Sequence, residues 1–231
     1  MTAELFLIKS SVGYKRMKMT DEGFIFEIRK GRINALKDLM DLYLPLVSRT
    51  SYRIMCDRSD SEHITRAVFL SLWRNPESCF SPASIRTHLL KMTCRHCRWR
   101  LLRRRILSLI SVNPDIYVIH SPQAASADEY AARQAWEIFC RASRNCSDRQ
   151  RVIYTLCELE GISMKQVLSA GIMLDIAVGD SLEAARQAVK VELDHFGRMN
   201  DYNAYVSFLR KVEDQLTDKV KLQRDILSII E

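Results

Sequence analysis

Apolar residues recur at helical spacing through nearly the whole chain, and only seven Gly and five Pro interrupt its 231 residues. A stripe of that period is buried by packing helix on helix, so an all-α fold is expected. Thr20 ahead of Asp21 and Glu22 predicts a helix start, closed by Gly31. From Ile33 to about Cys56 the stripe is Leu36, Leu39, Met40, Tyr43, Leu46 and Val47, with Pro45 a kink or break. Ser59 and Glu62 have capping-box spacing for a third helix, whose Ile64, Val68, Phe69, Leu72 and Trp73 share a face before Asn75 and Pro76 stop it. Ser81 and Pro82 open a fourth. The pattern lapses between Ser111 and Ala127, where Asn113-Pro114, Ser121-Pro122 and Ala124-Ala125-Ser126 read as a linker. Ser126 with Glu129 opens a further helix through Trp136 and Phe139, followed by helices at about 148–159, 163–171 and 180–196. Tyr202, Tyr205, Val206, Leu209, Val212, Leu216, Val220, Leu227 and Ile230 predict one long amphipathic helix over 201–231. No strand pattern or internal repeat is read. The expected organisation is an arm at 1–19, a helical domain at 20–110, a linker at 111–126, a second small helical domain at 127–196, and a helical extension at 197–231.

The fourth helix concentrates charge. Between Ile85 and Arg105 stand Arg86, Lys91, Arg95, Arg98, Arg100, Arg103, Arg104 and Arg105, eight cations with no Asp or Glu. The chain's formal net charge is +7, so 7 − 8 leaves the other 210 residues at about −1. Ordinary solvated helices interleave acids to form i,i+4 pairs, and this one has none. Such a single-signed field fits a phosphate-bearing polymer, with another acidic partner or plain solvation as the alternatives. Lys91, Arg95, Arg98 and Arg105 share one face, while Leu89, Leu90, Met92 and Leu102 supply apolar contacts. Trp99 is read either as a stacking platform for an unpaired base or as a core or rim residue.

Other chemistry is poorly supported. His88, Cys94, His96 and Cys97 invite a zinc reading, but no second ligand pair follows and the surrounding cations repel a divalent metal. No nucleophile–base order, phosphate loop or paired-carboxylate pattern stands out, so neither catalysis nor a cofactor is expected. Glu158 and Glu160 are assigned surface or capping roles. Seven Cys at irregular spacing argue against a disulfide framework and for a reducing cytoplasm. The apolar run Leu5 to Ile8 is too short for a signal segment, and no membrane span is read.

The motifs nonetheless resemble a known family. Asp60-Ser61-Glu62-His63-Ile64-Thr65-Arg66-Ala67-Val68-Phe69-Leu70-Ser71-Leu72-Trp73 is similar to the D-x-E-D-x-x-Q-E-x-F-L-x-x-W motif of extracytoplasmic-function (ECF) sigma factors. Arg149-Gln150-Arg151 and Glu158-Leu159-Glu160-Gly161-Ile162-Ser163 are similar to the R-Q-R and E-L-E-G-L-S that open the family's second DNA-binding domain. The resemblance covers about residues 20 to 196. It implies a region 2-like bundle and a region 4-like helix-turn-helix, with DNA and core RNA polymerase as partners. Polymerase contact would fall on Asp60, Glu62, His63, Arg66, Phe69, Leu70 and Trp73, with Phe69 and Trp73 equally suited to a core. DNA contact would fall on the eight cations with Trp99, and more weakly on Ser181, Arg186, Gln187 and Lys190 of the helix-turn-helix.

The chain departs from the family where those partners would bind. His63, Arg66 and Ala67 replace an Asp, a Gln and a Glu of the docking surface, losing two carboxylates and gaining a cation. Leu182, Ala184, Gln187 and Val189 replace basic positions of the last helix, which leaves few donors for base edges or phosphates. The turn before that helix, Ala170 to Asp175, holds about three extra residues by alignment to the family pattern. Two functions therefore stay open. One is a sigma-like, DNA-binding regulator of transcription initiation. The other is a degenerate paralogue acting by protein contact as a negative effector of an ECF factor. The last helix either completes a core or binds a partner helix, an anti-sigma or sigma protein.

Overall fold

The computed structural model describes residues 5–10, 13–18, 20–79, 84–110, 127–173, 178–196, 201–211 and 218–230. The expected linker at 111–126 and the expected caps at Ser81 and Ser126 lie outside them. Among the described residues ten α-helices build the fold, which is all-α apart from an N-terminal hairpin of β1 (Leu5–Ser10) and β2 (Gly13–Lys18). The hairpin is antiparallel, with Leu5 opposite Lys18 and Ser10 opposite Gly13. The all-α class stands, and the hairpin's apolar run, Leu5 to Ile8, is too short to show a period in the sequence.

α1 (Asp21–Arg29) starts where Thr20 accepts a hydrogen bond from the Gly23 amide, and Gly31 follows it at φ 73°. α2 (Ile33–Met55) continues through Pro45. α3 (Arg58–Arg74) begins two residues earlier than the Ser59 cap implied, because the Asp57 side chain accepts from the Asp60 amide. Ser48, Ser51, Ser61 and Thr65 lie buried where α2 meets α3. Small side chains there allow close approach, and each hydroxyl finds a partner: Ser51 donates to the Ser48 carbonyl, Ser61 to the same carbonyl from across the interface, and Thr65 to Ser61. A 3-10 turn (Pro76–Cys79) precedes α4 (Ile85–Ile110), whose buried Ile85, Leu89, Leu90, Cys94, Cys97 and Leu101 face this pair.

α5 (Ala127–Arg144), α6 (Asp148–Tyr154), a π-helical turn (Thr155–Leu159), α7 (Met164–Ser169) and α8 (Val178–Phe196) form the second group. Capping boxes at Ser147–Gln150 and Ser163–Gln166 set the starts of α6 and α7. Aromatic rings join the groups: Tyr52 of α2 stacks on Trp136 of α5 at 4.7 Å, Trp136 meets Phe139, and Phe139 meets Tyr154 of α6.

The expected single helix at 201–231 is instead two, α9 (Tyr202–Lys211) and α10 (Lys219–Ile230). α9 buries Tyr205, Val206 and Leu209 against α5, while α10 buries Leu222 and Ile226 against α2 and α3. These two stripes are out of phase at about 100° per residue, so one straight helix cannot bury both on one side. Val220, assigned to the expected stripe, is exposed. No helix among the described residues is long and apolar enough to cross a membrane.

Candidate nucleic-acid interface

α4 is held at its start by two oxygens. Asp21 accepts from the Ile85 amide at 2.9 Å, and Ser84 accepts from the Thr87 amide at 3.3 Å. Its eight cations then divide by azimuth. A helix turns about 100° per residue, which sets Arg104 on the opposite side from Arg95. Arg100 and Arg104 therefore point at α3: Arg100 binds the buried Asp60 at 2.7 Å, and Arg104 binds both Asp60 and, at 3.2 Å, Asp57. Arg105 reaches Asp148 at the start of α6, 3.3 Å away. These three arginines are structural clamps. Asp57 and Asp148 were missed as their partners, although Arg104 shares the inward stripe of Thr93 and Cys97, a signal present in the sequence.

Arg86, Lys91, Arg95, Arg98 and Arg103 are exposed and make no ion pair among the described residues. Lys91, Arg95, Arg98 and Arg103 line the outward face of α4 with Trp99, which is 64% exposed and has the Arg103 guanidinium 5.9 Å from its ring. Trp99 is thus outside the core. Leu102 and Ile106 are exposed on the same half of the helix, and Leu107 is exposed on its flank. Arg86 instead lines a cleft of about 720 Å³ between α4 and α7, together with Glu160, Gly161, Ile162 and Gln166. Burial first, then Lys91 and Arg95, pushes the His88 imidazole below its ordinary range. His96 is pushed the same way by burial, Arg95 and His63. Neither adds charge to the face at neutral pH. Cys94 and Cys97 sit in the core, and burial drives the Cys94 thiol up to about 12.

The residues expected to meet polymerase are dispersed. Asp60 and Phe69 are buried, Asp60 by its arginine pair and Phe69 by apolar packing. Glu62 pairs with Arg58 at 2.9 Å and with Arg66 at 3.8 Å. Arg66 also binds Asp225 of α10 at 3.3 Å, and Gln223 of α10 donates to Asp41 at 2.7 Å. Leu70 and Trp73 are half-buried against the core, and His63 is exposed. On α8, Arg186 donates to Glu158 at 2.8 Å and pairs with Glu183, Gln187 donates to Glu183, and Lys190 lies 5.6 Å over Tyr202. Ser181 is half-buried. Most of this helix's donors thus already serve the fold.

Glu160 corrects its surface assignment. Its carboxylate is buried and receives Arg53 at 2.8 Å and both Nε and Nη2 of Arg49, at 3.2 and 2.7 Å. Arg53 also donates to the Arg210 carbonyl of α9 at 2.8 Å. Two cations on α2 meet the one buried carboxylate, and these contacts tie the two helical groups together.

No family model matches the chain, and no curated protein matches it. Among solved structures, it is similar to a chain of the co-crystal structure of the sigma factor RpoE in complex with the anti-sigma factor NepR from Bartonella quintana. The TM-score is 0.54 at 16% identity, covering 70% of this chain and 98% of that one. The fold is sigma-like.

Proposed function

We propose that this sigma-like chain is a transcription regulator that binds nucleic acid through the outward face of α4. The observation that carries the reading is the set Lys91, Arg95, Arg98 and Arg103 around exposed Trp99, cations without carboxylate partners among the described residues. α8 contributes little to this binding, because Arg186 is engaged by Glu158. The test is the salt dependence of binding to duplex and single-stranded DNA. Replacing Arg95, Arg98 and Arg103 with Ala should flatten the log–log slope by about 3 on duplex. An unchanged slope refutes the reading.

A second reading has its own observation: α10 lies on α3 with Asp225 on Arg66, across the face where the resemblance puts core polymerase. This supports a negative effector that works by protein contact, and the RpoE–NepR complex supports a partner of the sigma or anti-sigma class. Pull-down with core polymerase and run-off transcription separate the two. An initiating holoenzyme excludes the effector; absence of core binding together with capture of a purified ECF factor favours it.

A further inference from the structure

The cleft between α4 and α7 lies where the two helical groups meet, and at about 720 Å³ it has the size of a small-ligand site. Thr87 and Leu90 of α4 form one wall, while Ile162, Gln166 and Ile172 form the other. Leu90 is buried, and Ile162 and Ile172 are half-buried against the core. The inner lining is therefore apolar, with polar groups nearer the rim.

Those polar groups have donors to spare. Arg86 is exposed and makes no ion pair or hydrogen bond among the described residues. Gln166 uses its Oε1 to accept from the Ser163 amide at 3.0 Å and the Ser163 hydroxyl at 2.9 Å, which leaves its Nε2 free to donate. The hydroxyls of Ser84 and Thr87 stand 3.1 Å apart, so one donates to the other and a single hydrogen of the pair remains for a ligand.

Charge around the cleft has the same sense. Glu160 lines it, yet that carboxylate is 2% exposed and already held by Arg49 at 2.7 Å and Arg53 at 2.8 Å. Lys91, at the edge of the outward face, stretches to the far wall. Its Nζ is 3.1 Å from the place a Cβ would take on Gly171, between the lining residues Ala170 and Ile172. Cations therefore exceed carboxylates, and spare donors beside an apolar lining call for an anionic group carried on an apolar body.

We infer that the cleft binds a small organic anion, whose phosphate or carboxylate head meets Arg86 and whose apolar body covers Leu90, Ile162 and Ile172. Such a ligand touches α4 on one side and α7 on the other, so it holds the two groups together and raises the unfolding midpoint by mass action. The inference is independent of the nucleic-acid reading. Its anchor, Arg86, lies about 140° round the helix from Lys91 at about 100° per residue, away from Arg95, Arg98 and Arg103.

Calorimetric titration of the full-length protein at about 0.15 M salt, where weak surface attraction is screened, provides the test. The probes are naphthyl phosphate, naphthoate and naphthol, which share one apolar body and differ in the head. At least one of the two anions should bind about tenfold or more tightly than naphthol, a comparison that requires no variant to fold. The tighter of the two identifies the head as phosphate or carboxylate. Arg86→Ala should weaken that anion about tenfold and leave naphthol unchanged, Arg86→Lys should recover part of the loss, and Ser169→Trp, at the rim, should block all three probes. The triple alanine variant of Arg95, Arg98 and Arg103 should bind the anion as the wild type does. Naphthol binding as tightly as both anions, an Arg86→Ala effect within about twofold, or a loss in the triple variant as large as in Arg86→Ala overturns the proposal.

Discussion

Glu160→Gln should cost the fold about 3–5 kcal/mol, because it leaves a buried guanidinium without its counter-charge. The side chains of Glu160 and Arg53 are each 2% exposed. Without the carboxylate, the Leu159 carbonyl at 3.3 Å, the Arg210 carbonyl at 2.8 Å and the Gln amide oxygen can still accept from Arg53, but none of them carries a charge. Neutral acceptors replace little of the lost attraction, and burial already acts to lower the Arg53 pKa. Arg49 is 33% exposed, so its share is about 1 kcal/mol or less, and Arg49→Ala should be mild. Urea unfolding followed by far-UV circular dichroism measures the loss. At roughly 2–3 kcal/mol per molar for a chain of this size, the midpoint should fall by about 1–2.5 M. The double variant Arg53→Met with Glu160→Leu should recover most of the stability, since a well-packed apolar pair replaces a buried ion pair at small net cost. A loss below about 1 kcal/mol for Glu160→Gln, or no recovery in the double variant, refutes the argument.

Three further outcomes follow from packing, backbone and charge. Ile226→Ala with Leu222→Ala removes both buried contacts of α10, and its amides should exchange at least about tenfold faster while those of α5 and α6 stay unchanged. Gly171→Ala should cost about 1 kcal/mol in thermal or urea unfolding, set by its φ of 60°, because the nearby Lys91 Nζ, 3.1 Å from the added Cβ, can swing away. For His96 the folded value lies below the ordinary 6.5, so the unfolded chain binds its proton first. Its contribution to stability is therefore full above 6.5 and is lost as pH falls through that value towards the lower folded one. Urea midpoints of the wild type and His96→Asn across pH 7.5 to 5 should show a shallower fall in the variant; equal slopes contradict the assignment.

The helices and their core were readable because a 3.6-residue stripe is a local signal: Leu36, Leu39, Met40, Val68 and Leu72 are all buried as their spacing implied. Thr20, Gly31 and Ser163 likewise mark their boundaries by local backbone chemistry. The division of α4 into clamping and outward cations depends on Asp57, Asp60 and Asp148, partners 40 or more residues away for which no local period exists. Glu160 was misread for the same reason, since Arg49 and Arg53 lie more than 100 residues upstream. Only the azimuth of Arg100 and Arg104 on the helix carried a sequence signal for any of these contacts. The second apolar phase of α10 was masked by Val220 and Leu227, which continue the earlier stripe in sequence although Val220 faces solvent.

The anchorage of α4 has a further consequence. Carboxylates grip it at its start through Asp21 of α1 and in its second half through Asp57 and Asp60, at the start of α3, and Asp148 of α6. The backbone bearing the outward face is already fixed, so association costs the rotamer freedom of a few arginine side chains and little main-chain entropy. A ligand that meets this face encounters a fixed row of charges rather than a segment it must first order. Calorimetry should then record binding without the heat-capacity change of coupled folding.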